Sequence, residues 1–295
     1  MLHAYSNFSY TQEYLFRTVI VPAFQAYPEI AWFADDEVAA TNEGSVMDSS
    51  QSWTSLLVNA GILENRNKKY IELDRMLHSL ICLHLLKDGS QSAHLYWVQK
   101  QSSSPLTKES FKEIHDFIKN YANTPDAFKA IEASLVYSDL GKTPKAKKYA
   151  KEHGIMKSDH DDFMETVYSA PAEVRAKVIP SFEKLNKNVQ QHVLGLHLAV
   201  PLHWGHALHL EGGKAMFSRL IARRNPPTTH HVKQAFLIQV CDVAASQAHV
   251  NLQGSIAFNE LTWLGYKTVL EVVEDLLMHQ DPKKALLELT SKRAK

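Results

Sequence analysis

From about residue 66 onward, apolar positions recur at intervals of three and four, the spacing that lines one face of an α-helix. In "KYIELDRMLHSLICLHLL", residues 69–86, the repeat runs through 73, 76, 77, 80 and 81, and Gly89 is placed to end the helix. Thr107 stands before "KESFKEIHDFIKNYA", with Glu109 and Ser110 in the first turn of a second helix. Pro125 and Asp126 open a third, "DAFKAIEASLVYSD", which Gly141 is expected to stop as the residue just past its end. The same spacing predicts helices over 160–168, 171–185, 187–200, 205–223, 229–250 and 255–278. Alternating patterns of the strand kind are scarce, and no period of about 20 to 50 residues repeats. The fold class expected is all-α.

The first 65 residues differ. An aromatic and aliphatic stretch predicts a helix around Gln12–Phe24, with a turn near Pro28, and the acidic, polar run over 35–52 reads as a loop. No Gly/Ser-rich or Pro-rich linker divides the chain. The expected organisation is an N-terminal extension, 1–65, packed on one main helical domain, 66–295.

The chain has 295 residues, 45% of them hydrophobic, and a formal net charge of zero. That balance argues against extended nucleic-acid binding, despite basic runs at Lys142–Lys151 and Arg219–Arg224. Cys82 and Cys241 lie in apolar runs without a CxxC pattern, as buried reduced thiols do. "MLHAYSNFSY" has no secretory pattern, and no run of about eighteen apolar residues follows, so no membrane association and a cytoplasmic location are expected.

Chemistry concentrates in histidines and aspartates on apolar helices. Asp242, in "AFLIQVCDVAASQAH", needs a cation, a donor or a metal if it is buried. His78 occupies a similar setting, and either a hydrogen-bonded core histidine or a ligand would satisfy the pattern. His160 is crowded by Asp159, Asp161 and Asp162, while His203, His206 and His209 follow one another at i,i+3 spacing on one helix. HExxH, GxSxG, GxGxxG and P-loop patterns are absent. Asp139 ends a helix at the electronegative pole, which disfavours a carboxylate and suggests another use for it.

Taken in order, "RMLHSL", "SLVYSDLGK" and "QVCDVAAS" resemble the first-ligand helix, the "LLHDIGK" segment and the last-aspartate helix of the HD-domain superfamily of metal-dependent phosphohydrolases, over roughly residues 70–250. The resemblance implies an HD-like helical bundle holding a divalent metal, Mn, Fe, Zn or Mg. His78, Asp139 and Asp242 would be ligands, with His160 and His206 (or His203 or His209) building a second site, and His115 competing as first ligand. Lys142, after the pair, would face substrate, and Arg219 and Arg223 would hold its phosphate. Ser138 stands where the family has the histidine of its pair. The function implied is hydrolysis of a small phosphate ester or nucleotide, with Asp139 and Lys142 catalytic. The alternatives are a catalytically degenerate HD fold that binds a nucleotide or a protein, and an oxygenase resembling the di-iron myo-inositol enzymes.

Overall fold

The computed structural model describes residues 10–34, 52–64, 70–157, 160–199, 202, 204–222 and 227–293. These residues form helices and no strand, so the protein is all-α. The chain enters through α1 (Gln12–Leu15), a π-helical turn (Phe16–Ile20), α2 (Val21–Ala26) and a 3-10 helix (Pro28–Ala34), followed by α3 (Trp53–Asn59). The middle comprises α4 (Ile71–Asp88), α5 (Gln91–Val98), α6 (Lys108–Tyr121) and α7 (Pro125–Ser138). A short 3-10 turn (Leu140–Lys142) then leads to α8 (Pro144–Lys151). After these come α9 (His160–Ser169), α10 (Ala172–Val178), a 3-10 turn (Phe182–Lys184), α11 (Lys187–Ala199), α12 (Trp204–Leu208) and α13 (Gly213–Ile221). The chain closes with α14 (Thr229–Ala245), α15 (Glu260–His279) and α16 (Pro282–Arg293).

Helix starts follow local chemistry. The Thr107, Thr124, Thr143 and Thr228 side chains each accept the backbone N–H three residues on, so each satisfies a donor that the first turn leaves open. Gly89 ends α4 at φ +63°, where a Cβ would collide with the His115 ring. α4 is apolar almost all round and lies at the centre, packed against α14, α7 and α6, while α11 packs on both α7 and α14.

One apolar core runs from Leu15 to Leu289. Residues 10–34 and α3 share it: Leu15, Ile20, Phe33 and Trp53 are buried with the α4 leucines. The Thr54 backbone N–H and hydroxyl both donate to Asp74 Oδ1, at 3.0 and 3.1 Å, which ties α3 to α4. Burial pushes the Asp74 carboxyl up to about 7 against these bonds. Cys82 and Cys241 are free and buried. No helix among the described residues is long and apolar enough to cross a membrane.

Several predicted boundaries are corrected. The residue that ends α7 is Asp139, at φ −98° and ψ 2°, and Gly141 is not in the left-handed region but lies buried inside the following 3-10 turn. The single helix expected over 205–223 is two, because Leu210, Gly212 and Gly213 take positive φ and turn the chain between α12 and α13. The span 171–185 breaks around Pro180, whose ring cannot continue α10. α14 stops at Ala245 rather than near 250, and α15 begins at Glu260 behind the Asn259 cap rather than near 255. α3, α5, α8 and α16 were not expected as separate helices.

Candidate functional site

Five charged side chains meet where α4, α7 and α14 pack together. α4 supplies Glu72 and Arg75, one turn apart on the same face, and Arg75 Nη1 donates to Glu72 Oε1 at 2.9 Å. The end of α7 supplies Asp139, and the 3-10 turn that follows swings Lys142 back over it. The Lys142 ammonium lies 2.9 Å from Asp139 Oδ1 and 3.0 Å from Glu72 Oε2, bridging two carboxylates that come from different helices. α14 supplies Asp242, which accepts from Gln239 Nε2 at 3.3 Å. The ring of Tyr266, on α15, is close enough for the Asp242 charge to help burial raise its hydroxyl to about 12.

The electrostatics follow from this arrangement. Burial works against the Glu72 charge, but Arg75 and Lys142 outweigh it and hold the carboxyl below its usual range. Burial likewise opposes the Lys142 charge, and Asp139 and Glu72 reverse the effect and raise its pKa. Asp242 is different. Burial and the Asp139 charge push its carboxyl up to about 6, against the pull of Arg75 and Lys142, and Glu72 adds to the rise. Among the described residues no lysine or arginine lies within ion-pair distance of Asp242. The cluster therefore holds three carboxylates and two cations, and the unmatched carboxylate keeps a partial opening to solvent.

Of the residues singled out from the sequence, Asp139, Lys142 and Asp242 come together here. His78, His115, His206 and His209 do not join them. His78 is engaged elsewhere: its Nε2 donates to the Gly254 carbonyl at 2.7 Å, its ring stacks 6.3 Å from that of Trp53, and burial pushes its pKa down to about 4. His115 bonds through Nδ1 to the Leu86 carbonyl at 2.6 Å and sits against Gly89. His206 and His209 are exposed on and beside α12, His206 lying 3.8 Å from Glu211. Arg219 is exposed on α13. His160 is the first residue of α9, and its side chain lies outside the described residues, as do His203 and Arg223 altogether.

The hydroxyl of Ser138, which the HD resemblance would align with a histidine, donates back to the Leu135 carbonyl at 3.1 Å. Among the described residues no group of three or more histidine, cysteine, aspartate or glutamate side chains is arranged to hold a metal ion. The donor set at the junction consists of three carboxylates, of which Glu72 and Asp139 are bridged by the Lys142 ammonium and Glu72 also meets Arg75, and it does not fit the imidazole-rich set a Zn or Fe centre uses.

Glu72 and Arg75 were not anticipated. Their signal was present as an acid–base pair at i,i+3 in the first turns of an otherwise apolar helix.

The chain belongs to DUF6829, a family of unknown function, which its residues 43–290 match. No curated protein and no solved structure matches it.

Proposed function

We propose that the α4–α7–α14 junction is the ligand-binding centre of a divergent HD-like helical protein in which side-chain cations stand where a metal would otherwise balance the carboxylates. The observation that carries this reading is the Lys142 ammonium within 3.0 Å of both Asp139 and Glu72. A lysine placed there neutralises the carboxylates as a bound cation does, without needing an imidazole beside them. The same charges favour a class of ligand. With Asp242 ionised the cluster is one negative charge in excess, so a phosphate would meet net repulsion, whereas a protonated amine would complete the balance. An ammonium about 4 Å from Asp242 gains roughly 4 kcal/mol of Coulomb energy at an effective dielectric constant near 20.

The test is thermal stability and calorimetric titration of the purified chain with ethanolamine, agmatine, inorganic phosphate, AMP and manganese chloride. The expected result is stabilisation by an amine that is lost in Asp242→Asn. Stoichiometric manganese binding that disappears in Asp139→Ala and Asp242→Ala, together with hydrolysis of an aryl phosphate, would replace this reading with a metal-dependent phosphohydrolase. That second reading is favoured by one observation, the Asp242 carboxylate, which no described lysine or arginine meets at ion-pair distance and which feels the charge of Asp139.

A further inference from the structure

Away from the junction, the 3-10 helix Pro28–Ala34 carries a carboxylate into the apolar core. Glu29 is fully buried. The Ser181 hydroxyl donates to its Oε1, reinforced by a long bond from the Ser181 backbone N–H at 3.4 Å, and Tyr137 Oη lies 2.7 Å from Ser181 Oγ. Glu29 Oε2 has no hydrogen-bond partner, nor does the buried hydroxyl of Tyr168 nearby. Among the described residues no cation lies within ion-pair distance of Glu29.

The groups facing it from each neighbouring element are hydroxyls or are occupied elsewhere. α7 presents Tyr137 and Glu132, and Glu132 is engaged by Tyr27, Lys129 and, from α4, His84. α9 presents Tyr168, whose ring stacks on His197 of α11. The Phe182–Lys184 turn offers Lys184, whose charge is the weakest influence on Glu29. On the outer side, α8 packs Tyr149 against Trp32 and sets Lys145 over the same ring, so neither reaches the carboxyl. An ionised carboxylate held this way, with one oxygen unpartnered in a dry interior, costs several kcal/mol more than the neutral acid. Burial accordingly raises the Glu29 pKa, outweighing the Ser181 bonds, the pull of its own backbone N–H and the Lys184 charge.

We propose that Glu29 is a proton-operated latch: as the neutral acid it seats the Pro28–Ala34 helix against Ser181 and Tyr137, and loss of its proton releases that helix. The helix packs on α4, on α8 and on the Leu140–Lys142 turn, so the latch also backs the segment that carries Lys142. The latch stands on its own geometry and does not depend on what the junction binds.

The test is hydrogen exchange of backbone amides over residues 27–34 in the full chain between pH 5 and 8.5, corrected for the intrinsic rate. Between the ordinary value of about 4.5 and the raised value of the seated carboxyl, the opening constant is expected to rise with pH in the native chain, approaching tenfold per unit, and to level off above it. It is expected to be independent of pH in Glu29→Gln, whose neutral amide keeps the seat. A pH-independent opening constant in the native chain, or the same slope in Glu29→Gln, overturns the latch. If Glu29→Gln does not fold, infrared spectra of the native chain labelled with 13Cδ-glutamate decide. A protonated glutamic-acid carbonyl band that persists above the range in which an ordinary glutamate ionises supports the latch, and carboxylate bands alone there overturn it.

Discussion

Lys142 and Glu72 are 70 positions apart, yet their ion pair, extended to Asp139 and Arg75, fixes the charge state of the junction. Replacing Lys142 with Met leaves two carboxylates facing each other in a partly buried setting. Stability is expected to fall by about 2 kcal/mol, below the range for a fully buried pair because the lysine keeps some solvent contact. Urea denaturation measures it, and adding Glu72→Gln to Lys142→Met should recover part of the loss, since one of the stranded charges is then gone.

Asp242 gives the opposite dependence on pH from a salt-bridged carboxylate. Its folded value, about 6, lies above the ordinary 3.8, so the folded chain holds a proton that the unfolded chain releases. Its contribution is fully present below 3.8 and is lost as pH rises through 6. Asp242→Asn should therefore flatten the fall in stability between pH 4 and 6.5, and an unchanged slope would show that the carboxyl is ionised in the fold. His78, lowered to about 4, acts the other way: its contribution is lost as pH falls from its ordinary 6.5 toward 4. A His78→Gln chain should lose less stability than the native one between pH 6.5 and 4.5 in the same denaturation series.

At the scale of elements, most helices were legible because their signals are local. The three- and four-residue spacing of α4, the Thr107 cap of α6 and the Pro125-Asp126 start of α7 each depend on neighbours within about a turn. The end of α7 was read incorrectly for the same reason. Gly141 looks like a stop signal, but the turn is set by Lys142 reaching back to Asp139 and by the Leu140–Lys142 turn packing against α9 and α8, none of which is visible within a window of ten residues.

The 251–259 segment is a further case. Gly254 has φ +73°, accepts from His78, and lies so close to the Tyr96 and Trp97 carbonyls that a Cβ would collide with backbone. Gly254→Ala is expected to cost more than about 3 kcal/mol, from the strained φ together with the displaced α5 contacts. Thermal denaturation measures it, and a loss under about 1 kcal/mol would mean that the segment shifts freely.

At the scale of the whole molecule, described residues before 65 and the α4 helix share one core. Leu15, Ile20, Tyr27, Ile30, Phe33, Trp53 and Leu57 belong to the same buried cluster as α4. Each such side chain contributes roughly 1.5–3 kcal/mol when fully buried. Together they match or exceed the roughly 5–15 kcal/mol of net stability typical of a domain. A chain beginning at residue 66 should therefore lose cooperative unfolding and aggregate, as read by circular dichroism and gel filtration; a cooperative, monomeric 66–295 fragment would contradict this.

What the sequence determined by itself was the helical class, the approximate helices and three residues of the junction, Asp139, Lys142 and Asp242. Periodicity, caps and an aspartate in an apolar run are properties of short segments, because helix hydrogen bonds and helix faces close within four residues. What only the tertiary structure decided was the company those residues keep. His78 bonded to Gly254, Glu72 joined Asp139 through Lys142, and Glu29 met Ser181 across 152 positions. Which face of α4 meets α14, and which meets α3, is set by how the whole core packs, and that packing set Lys142 and Arg75 beside Glu72 and Asp139.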